Sequence, residues 1–178
     1  MYPQPYLDYL IQFHVERDYF ECHEILEEYW KSAPPQERQP VWVGLIQIAV
    51  ALYHQRRGNQ PGAIKMLTSA TSIIKKHHRD IQKLGLDSAQ LASMLEERLM
   101  EMHNGKPYRS LSLPMSEATL KQAYQEACSR LNHPENRESD MQDSYLLNKH
   151  TLRDRSDVLS LRLQQLQMRE ARRNNDSN

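Results

Sequence analysis

The run of residues 41–53, VWVGLIQIAVALY, constrains the fold of this 178-residue chain more than any other feature. Wound into a helix at about 3.6 residues per turn, its Trp42, Val43, Leu45, Ile46, Ile48, Val50 and Leu52 cover every side. Gln47 alone interrupts the apolar stretch. Such a helix cannot lie on a surface and has to be wrapped. It is also shorter than the roughly 20 residues that span a bilayer, so the wrapping has to be protein.

The flanking sequence supplies the wrapping as further helices. A first helix is predicted over residues 5–16, with Leu7, Leu10, Ile11 and His14 on one face. A second follows over residues 18–31, with Asp18 as N-cap and Pro34-Pro35 as its stop. The central helix extends over residues 37–57. Gly58-Asn59 closes it, and Gln60-Pro61 opens a fourth helix carrying Ile64, Leu67, Ala70, Ile73 and Ile74. That helix ends in the basic run Lys75-Lys76-His77-His78-Arg79, where the helix dipole favours cations. A fifth spans residues 87–103, residues 110–114 are extended, and a sixth with a capping-box-like start spans residues 116–132 before Pro134. No alternating strand pattern occurs, and glycine is sparse at 5 residues. The fold class is all-α, a compact antiparallel helical bundle.

The bundle domain is predicted over residues 1–133, followed by a polar C-terminal extension over residues 134–178 in which aromatics nearly vanish. Leu152, Leu159, Leu163 and Leu166 in that extension suit an amphipathic helix over about residues 151–172. A protein partner or self-association through this segment is the expected interaction. The 23 basic and 23 acidic residues balance, which gives no case for nucleic-acid or membrane affinity. Residues 1–5 lack the pattern of a signal peptide, and two isolated cysteines, Cys22 and Cys128, suggest no disulfide framework. A cytoplasmic location is expected.

The residues that could carry chemistry lie in the second and third helices. Residues 19–30, YFECHEILEEYW, put His23 and Glu27 one turn apart on the apolar side, with Glu21, Glu24 and Glu28 opposite. On the central helix Gln47 and His54 share a sector with small Gly44 and Ala51. The short Pro-rich connection makes these two helices antiparallel neighbours, so His23, Glu27, Gln47 and His54 are expected to meet as a buried polar cluster. Three readings compete. The cluster is a structural hydrogen-bond network, or a divalent metal site with His23, Glu27 and His54 as ligands, or a metal-free acid/base site in which Glu27 polarises a histidine. His23-Glu24 superficially matches a His-Glu-x-x-His zinc motif, but Glu27 stands where the second histidine would. His14 reads as a satisfied core histidine and Cys22 as a small core residue. Ala51, Gly58, Ala63, Leu67 and Ala70 resemble the packing residues of one tetratricopeptide helix pair, a pattern equally at home in an ordinary helix hairpin.

The run Arg17-Asp18-Tyr19-Phe20-Glu21-Cys22-His23-Glu24-x-x-Glu27-x-x-Trp30, then Leu45-Ile46-Gln47-x-Ala49-Val50-Ala51-x-Tyr53-His54 and Gly58-Asn59-x-x-Gly62-Ala63, resembles the domain-of-unknown-function family 309. The resemblance covers about residues 6–78. It implies a small helical bundle and brings the label of metal-dependent hydrolase. The matching positions are His23, Glu24, Glu27, Trp30, Gln47, Tyr53 and His54. On that reading Glu27, His54 and, less directly, Glu24 are the catalytic residues. Gln47, Trp30 and Tyr53 face substrate, and His23, Glu27 and His54 hold the metal. Cys22 departs from the small residue associated with its position. The alternative is a non-enzymatic helical interaction module whose polar cluster is structural.

Overall fold

The computed structural model describes residues 1–132 and 136–152. The central helix α3, Pro40–Arg56, opens at Pro40, where a missing N–H costs nothing because first-turn donors have no partner in the helix. Glu37, the predicted first residue of this helix, instead closes a single 3-10 turn, Pro35–Glu37. On either side of α3 lie α2 (Tyr19–Ser32) and α4 (Gln60–Lys76), the two helices it packs against most extensively. Gly44 lets α4 come close: a Cβ there would stand 3.0 Å from Ile73 Cγ2 and 3.2 Å from Ile74 Cδ1.

The outer helices complete the wrapping. α6 (Ser88–His103) packs on α4, while α1 (Gln4–Ile11) packs on α2 and α7 (Ala118–Arg130). Tyr6, Tyr9, Leu10, Phe13, Tyr19, Leu26, Leu45, Ile48, Leu52 and Leu67 are fully buried between them. Each such aliphatic or aromatic side chain contributes about 1.5–3 kcal/mol by leaving water. Asp18 caps α2 through Glu21 N at 3.0 Å, and Asp87 caps α6 through Ala89 N at 3.1 Å and Gln90 N at 2.9 Å. α7 starts later than the predicted residue 116 and has no side-chain cap. Among the described residues no strand forms; Leu86 and Met115 make one antiparallel bridge, and Leu111 and Leu113 of the extended segment are buried. No helix is long and apolar enough to cross a membrane among the described residues.

Two departures from the sequence reading matter. The predicted first helix ends in a π-helical turn, Gln12–Glu16, and Arg17 follows in the left-handed region at φ 54°. The basic run after α4 breaks at His77 and resumes as a short helix α5, His78–Lys83. Residues 136–147 belong to the same compact unit as the bundle, Met1–Leu147. The last described helix, α8 (Ser144–Leu152), loses helical geometry at Asn148, where a second unit, Asn148–Asn178, begins. Apart from its first two residues, the helix predicted over residues 151–172 lies outside the described residues.

Candidate functional site

On α2 the buried positions are Tyr19, Cys22 and Leu26. His23 and Glu27 follow Cys22 and Leu26 by one residue, about 100° round the helix, which puts them at the edge of the apolar stripe. Their side chains are 31% and 37% exposed, so the pair predicted to be buried is half-open to water. Glu24, predicted to face solvent, is the residue that engages His23: its Oε1 lies 2.9 Å from His23 Nδ1. An ionised carboxylate only accepts, so His23 donates from Nδ1. In the neutral ring Nε2 then carries a lone pair, and it stands 3.9 Å from Glu27 Oε2. Lys31 holds the other Glu27 oxygen at 3.0 Å.

His54 is tied elsewhere. Its Nδ1 accepts from Asn59 Nδ2 at 3.1 Å, while Asn59 Oδ1 caps α4 through Gly62 N at 3.1 Å. Partial burial, helped by the Arg57 charge, lowers its pKa below the ordinary imidazole value. Gln47 is half-buried, with Oε1 unpartnered among the described residues. Tyr53 is buried with its ring edge toward Phe20 at 6.3 Å and the Arg57 guanidinium 5.3 Å from its centroid. Trp30 lies apart, lining a cavity of about 310 Å³ with Tyr29, Trp42 and Arg38, the last stacked on its indole at 4.9 Å.

The structure thus brings His23, Glu24 and Glu27 together and leaves His54 bonded to Asn59. No three His, Cys, Asp or Glu side chains among the described residues come together in a way that could hold a metal ion. The residues that the resemblance offers for a metal supply a two-member pair, His23 and Glu27, and not the three protein ligands of a catalytic zinc site.

The larger polar construction is one that the sequence reading missed. Arg17, Arg56 and Arg98 are 2%, 5% and 0% exposed. A buried guanidinium costs several kcal/mol unless its donors are met. Arg17 donates to the carbonyls of Phe13 (2.9 Å), Leu111 (2.6 Å) and Arg137 (2.6 Å). Arg56 donates to the carbonyls of Arg17 (2.7 Å) and Leu146 (3.2 Å) and to Ser139 Oγ (3.2 Å). Its guanidinium also lies 4.7 Å from the centroid of the Tyr19 ring, a favourable cation–π placement. Arg98 donates to Gln55 Oε1 and the Arg109 carbonyl, and pairs with Glu101 at 3.2 Å.

A chain of hydroxyls runs from Tyr19 to the Ser139 that Arg56 holds. Tyr19 and Tyr108 share a 2.7 Å hydrogen bond, and Tyr108 and Ser139 one of 2.6 Å. Burial, with Tyr108 adding, holds the Tyr19 pKa well above the ordinary phenol value, so the hydroxyl stays protonated. In the sequence Arg98 shares its helix face with Leu91, Leu95 and Met102, and Arg17 and Tyr19 stand in the run that resembles the family, but nothing there ties them together.

A family model described as Domain of unknown function (DUF309) matches residues 6–66. The Uncharacterized protein YpuF of Bacillus subtilis (strain 168) is 41% identical over 173 residues, which are 97% of this chain and 99% of that protein. The chain belongs to the DUF309 family. No solved structure matches. The DUF309 match runs from α1 into α4 and contains every residue singled out on α2 and α3, from His23 to His54. It also contains Arg17 and Arg56, whereas Arg98, Tyr108 and Ser139 lie beyond it.

Proposed function

We propose that the chain is a helical interaction module that seats main-chain segments against its core and presents its C-terminal extension to a protein partner. The observation that supports this is the use of Arg17, Arg56 and Arg98, whose donors are directed largely at main-chain carbonyls of residues 109–111, 137 and 146. Carbonyls are recognised whatever side chain they carry, so these arginines position a segment rather than read its sequence. On this reading residues 136–147 are the anchored root of the extension, and the segment after them engages the partner or a second copy of the chain. Placement in the cytoplasm belongs to the same reading, supported by two free, buried cysteines.

The test compares the full chain with a chain ending at Leu152, by sedimentation and by cross-linking in an extract of the source cells. Loss of a defined partner or of self-association on truncation, with thermal stability kept, supports the module. An unchanged partner set refutes it.

A second reading rests on the His23–Glu27 gap. With Nδ1 donating to Glu24, two acceptors face each other at 3.9 Å, an arrangement that a cation relieves. A carboxylate on the far nitrogen is also how a metal-binding histidine is commonly oriented. A bound divalent metal would supply Lewis-acid chemistry at this surface. Metal analysis of tag-free protein, with thermal shifts on adding zinc, manganese or nickel, tests it: His23→Ala and Glu27→Gln should abolish binding and His54→Ala should not. Absence of bound metal and of any shift in the unmutated protein removes this reading and the hydrolase label with it.

A further inference from the structure

α2 carries a second stripe beside the buried one. Phe20, His23, Glu27 and Trp30 follow one another at spacings of three, four and three residues, the pattern of a seam between two packed helices. All four are half-buried, whereas the stripe turned to the core, Tyr19, Cys22 and Leu26, is buried. The second stripe is also symmetric about its middle. A two-fold axis level with Ile25 lays it antiparallel on its own copy, setting His23 against Glu27, Glu27 against His23, and Phe20 against Trp30 at either end. Such reciprocity is what an isologous interface requires, and here both the charges and the aromatic ends satisfy it.

The middle of that seam needs a cation. His23 Nδ1 donates to Glu24 at 2.9 Å, which leaves Nε2 with a lone pair, and Lys31 holds Glu27 Oε1 at 3.0 Å, which leaves Oε2. Crossing two copies brings four acceptors around the axis with no donor among them. Two imidazole nitrogens and two carboxylate oxygens make a tetrahedral zinc set, and the two carboxylates balance the charge of a divalent ion. Zinc bonds of about 2.0–2.2 Å hold such a nitrogen and oxygen about 3.4 Å apart, so the observed 3.9 Å closes by about 0.5 Å between two half-exposed side chains. One chain cannot complete the set: no group of three His, Cys, Asp or Glu among the described residues could hold an ion. We propose that two copies of the chain pack α2 against α2 and share one divalent ion of the zinc class through His23 and Glu27 of each. At either end Phe20 of one copy meets Trp30 of the other, whose ring already carries its own Arg38 at 4.9 Å, and these aromatics shield the ion from water. The inference rests on the reading that His23 and Glu27 hold a divalent ion, and it changes what the ion does. Four protein ligands leave no open position, which makes the site structural and not catalytic.

The test titrates the full, tag-free chain, stripped of metal, with zinc chloride, followed by sedimentation velocity and calorimetry. The expected result is a monomer that becomes a dimer, with zinc binding complete at half an equivalent per chain, and that reverts when a chelator is added. His23→Ala and Glu27→Gln should keep the melting temperature of the metal-free protein and weaken zinc-driven dimerisation at least tenfold, while His54→Ala dimerises like the unmutated protein. One zinc per chain without association would leave the metal reading standing and overturn the shared site. Dimerisation indifferent to zinc, or retained by Glu27→Gln in its presence, overturns the shared site as well. Absence of zinc binding removes both.

Discussion

The buried imidazole of His14 makes a quantitative prediction about stability and pH. In the unfolded chain a histidine takes up a proton near pH 6.5; in the fold burial and the Arg17 charge hold the value at about 3. Between those two values the unfolded state binds the extra proton and the folded state does not. Stability therefore rises with pH across the window and falls as the solution is acidified below about pH 6.5. At about 1.36 kcal/mol per pH unit, acidification from about pH 7.5 to about pH 5 removes about 2 kcal/mol through His14 alone. The full loss approaches about 5 kcal/mol only near the folded value, where carboxylates also titrate. His14→Gln separates the contributions, because a glutamine Oε1 can replace Nε2 as acceptor for Leu113 N–H and does not titrate. Urea unfolding of both proteins at several pH values gives the difference between them. That difference should move against the unmutated protein by about 2 kcal/mol between about pH 7.5 and 5, whatever other groups do. A difference independent of pH over that range would show that His14 is solvated or charged in the fold, and would remove the buried-imidazole picture with it.

Other substitutions address the remaining features. Arg56→Met removes the donors to the carbonyls of Arg17 and Leu146 and to Ser139, and should cost about 2–4 kcal/mol in urea unfolding. It should also speed tryptic cleavage within residues 136–147, and Arg56→Lys should rescue little, because an ammonium cannot span these acceptors. Gly85→Ala places a Cβ 2.8 Å from Leu120 Cβ at a φ of 80°, and a loss of about 2 kcal/mol is expected in the same assay. Asn59→Ala removes the α4 cap for about 1 kcal/mol and deprives neutral His54 of its donor; the His54 pKa should rise, as followed by NMR titration.

How far such features are legible in a sequence depends on where their partners come from. α3 is legible because a helix apolar on all sides has one solution, and Asp18 and Asp87 are legible because an N-cap is a local bond. α5 is hidden in a charged run whose break at His77 leaves no glycine or proline as a marker. The π-helical turn is hidden because widening a helix by one residue alters geometry and not composition. The four-residue spacing of His23 and Glu27 shows that they share a side of α2, but a projection of one helix cannot say how far its neighbour reaches. The buried stripe of α2 runs through Tyr19, Cys22 and Leu26, and the sequence neighbours of the last two fall at its rim. The helix projection turns His54 toward α2, whereas its partner, Asn59, is five residues away across the turn into α4.

The arginines illustrate the harder limit. A carboxylate partner leaves a letter in the sequence, and Arg98 with Glu101 three residues on could have been found that way. Arg17 and Arg56 have carbonyls and hydroxyls as their hydrogen-bond acceptors, and every residue offers a carbonyl. Replacing a buried ionic group by an apolar one of similar size is often neutral or stabilising when its partners are also replaced, so such groups are weak evidence of stability for its own sake. Here the partners cannot be replaced, because they are the backbone. Arg17 and Arg56 fix the carbonyls of Arg137 and Leu146, and a one-residue slip of residues 136–147 would offer these donors the carbonyls of neighbouring residues and re-aim the side chains between them. On the interaction-module reading, Arg17 and Arg56 therefore set the register of residues 136–147. That is a property a hydrophobic replacement would lose even where the bundle itself remained folded, and on the same reading a segment-positioning role, more than a stabilising one, accounts for burying the Arg17 and Arg56 guanidinium groups.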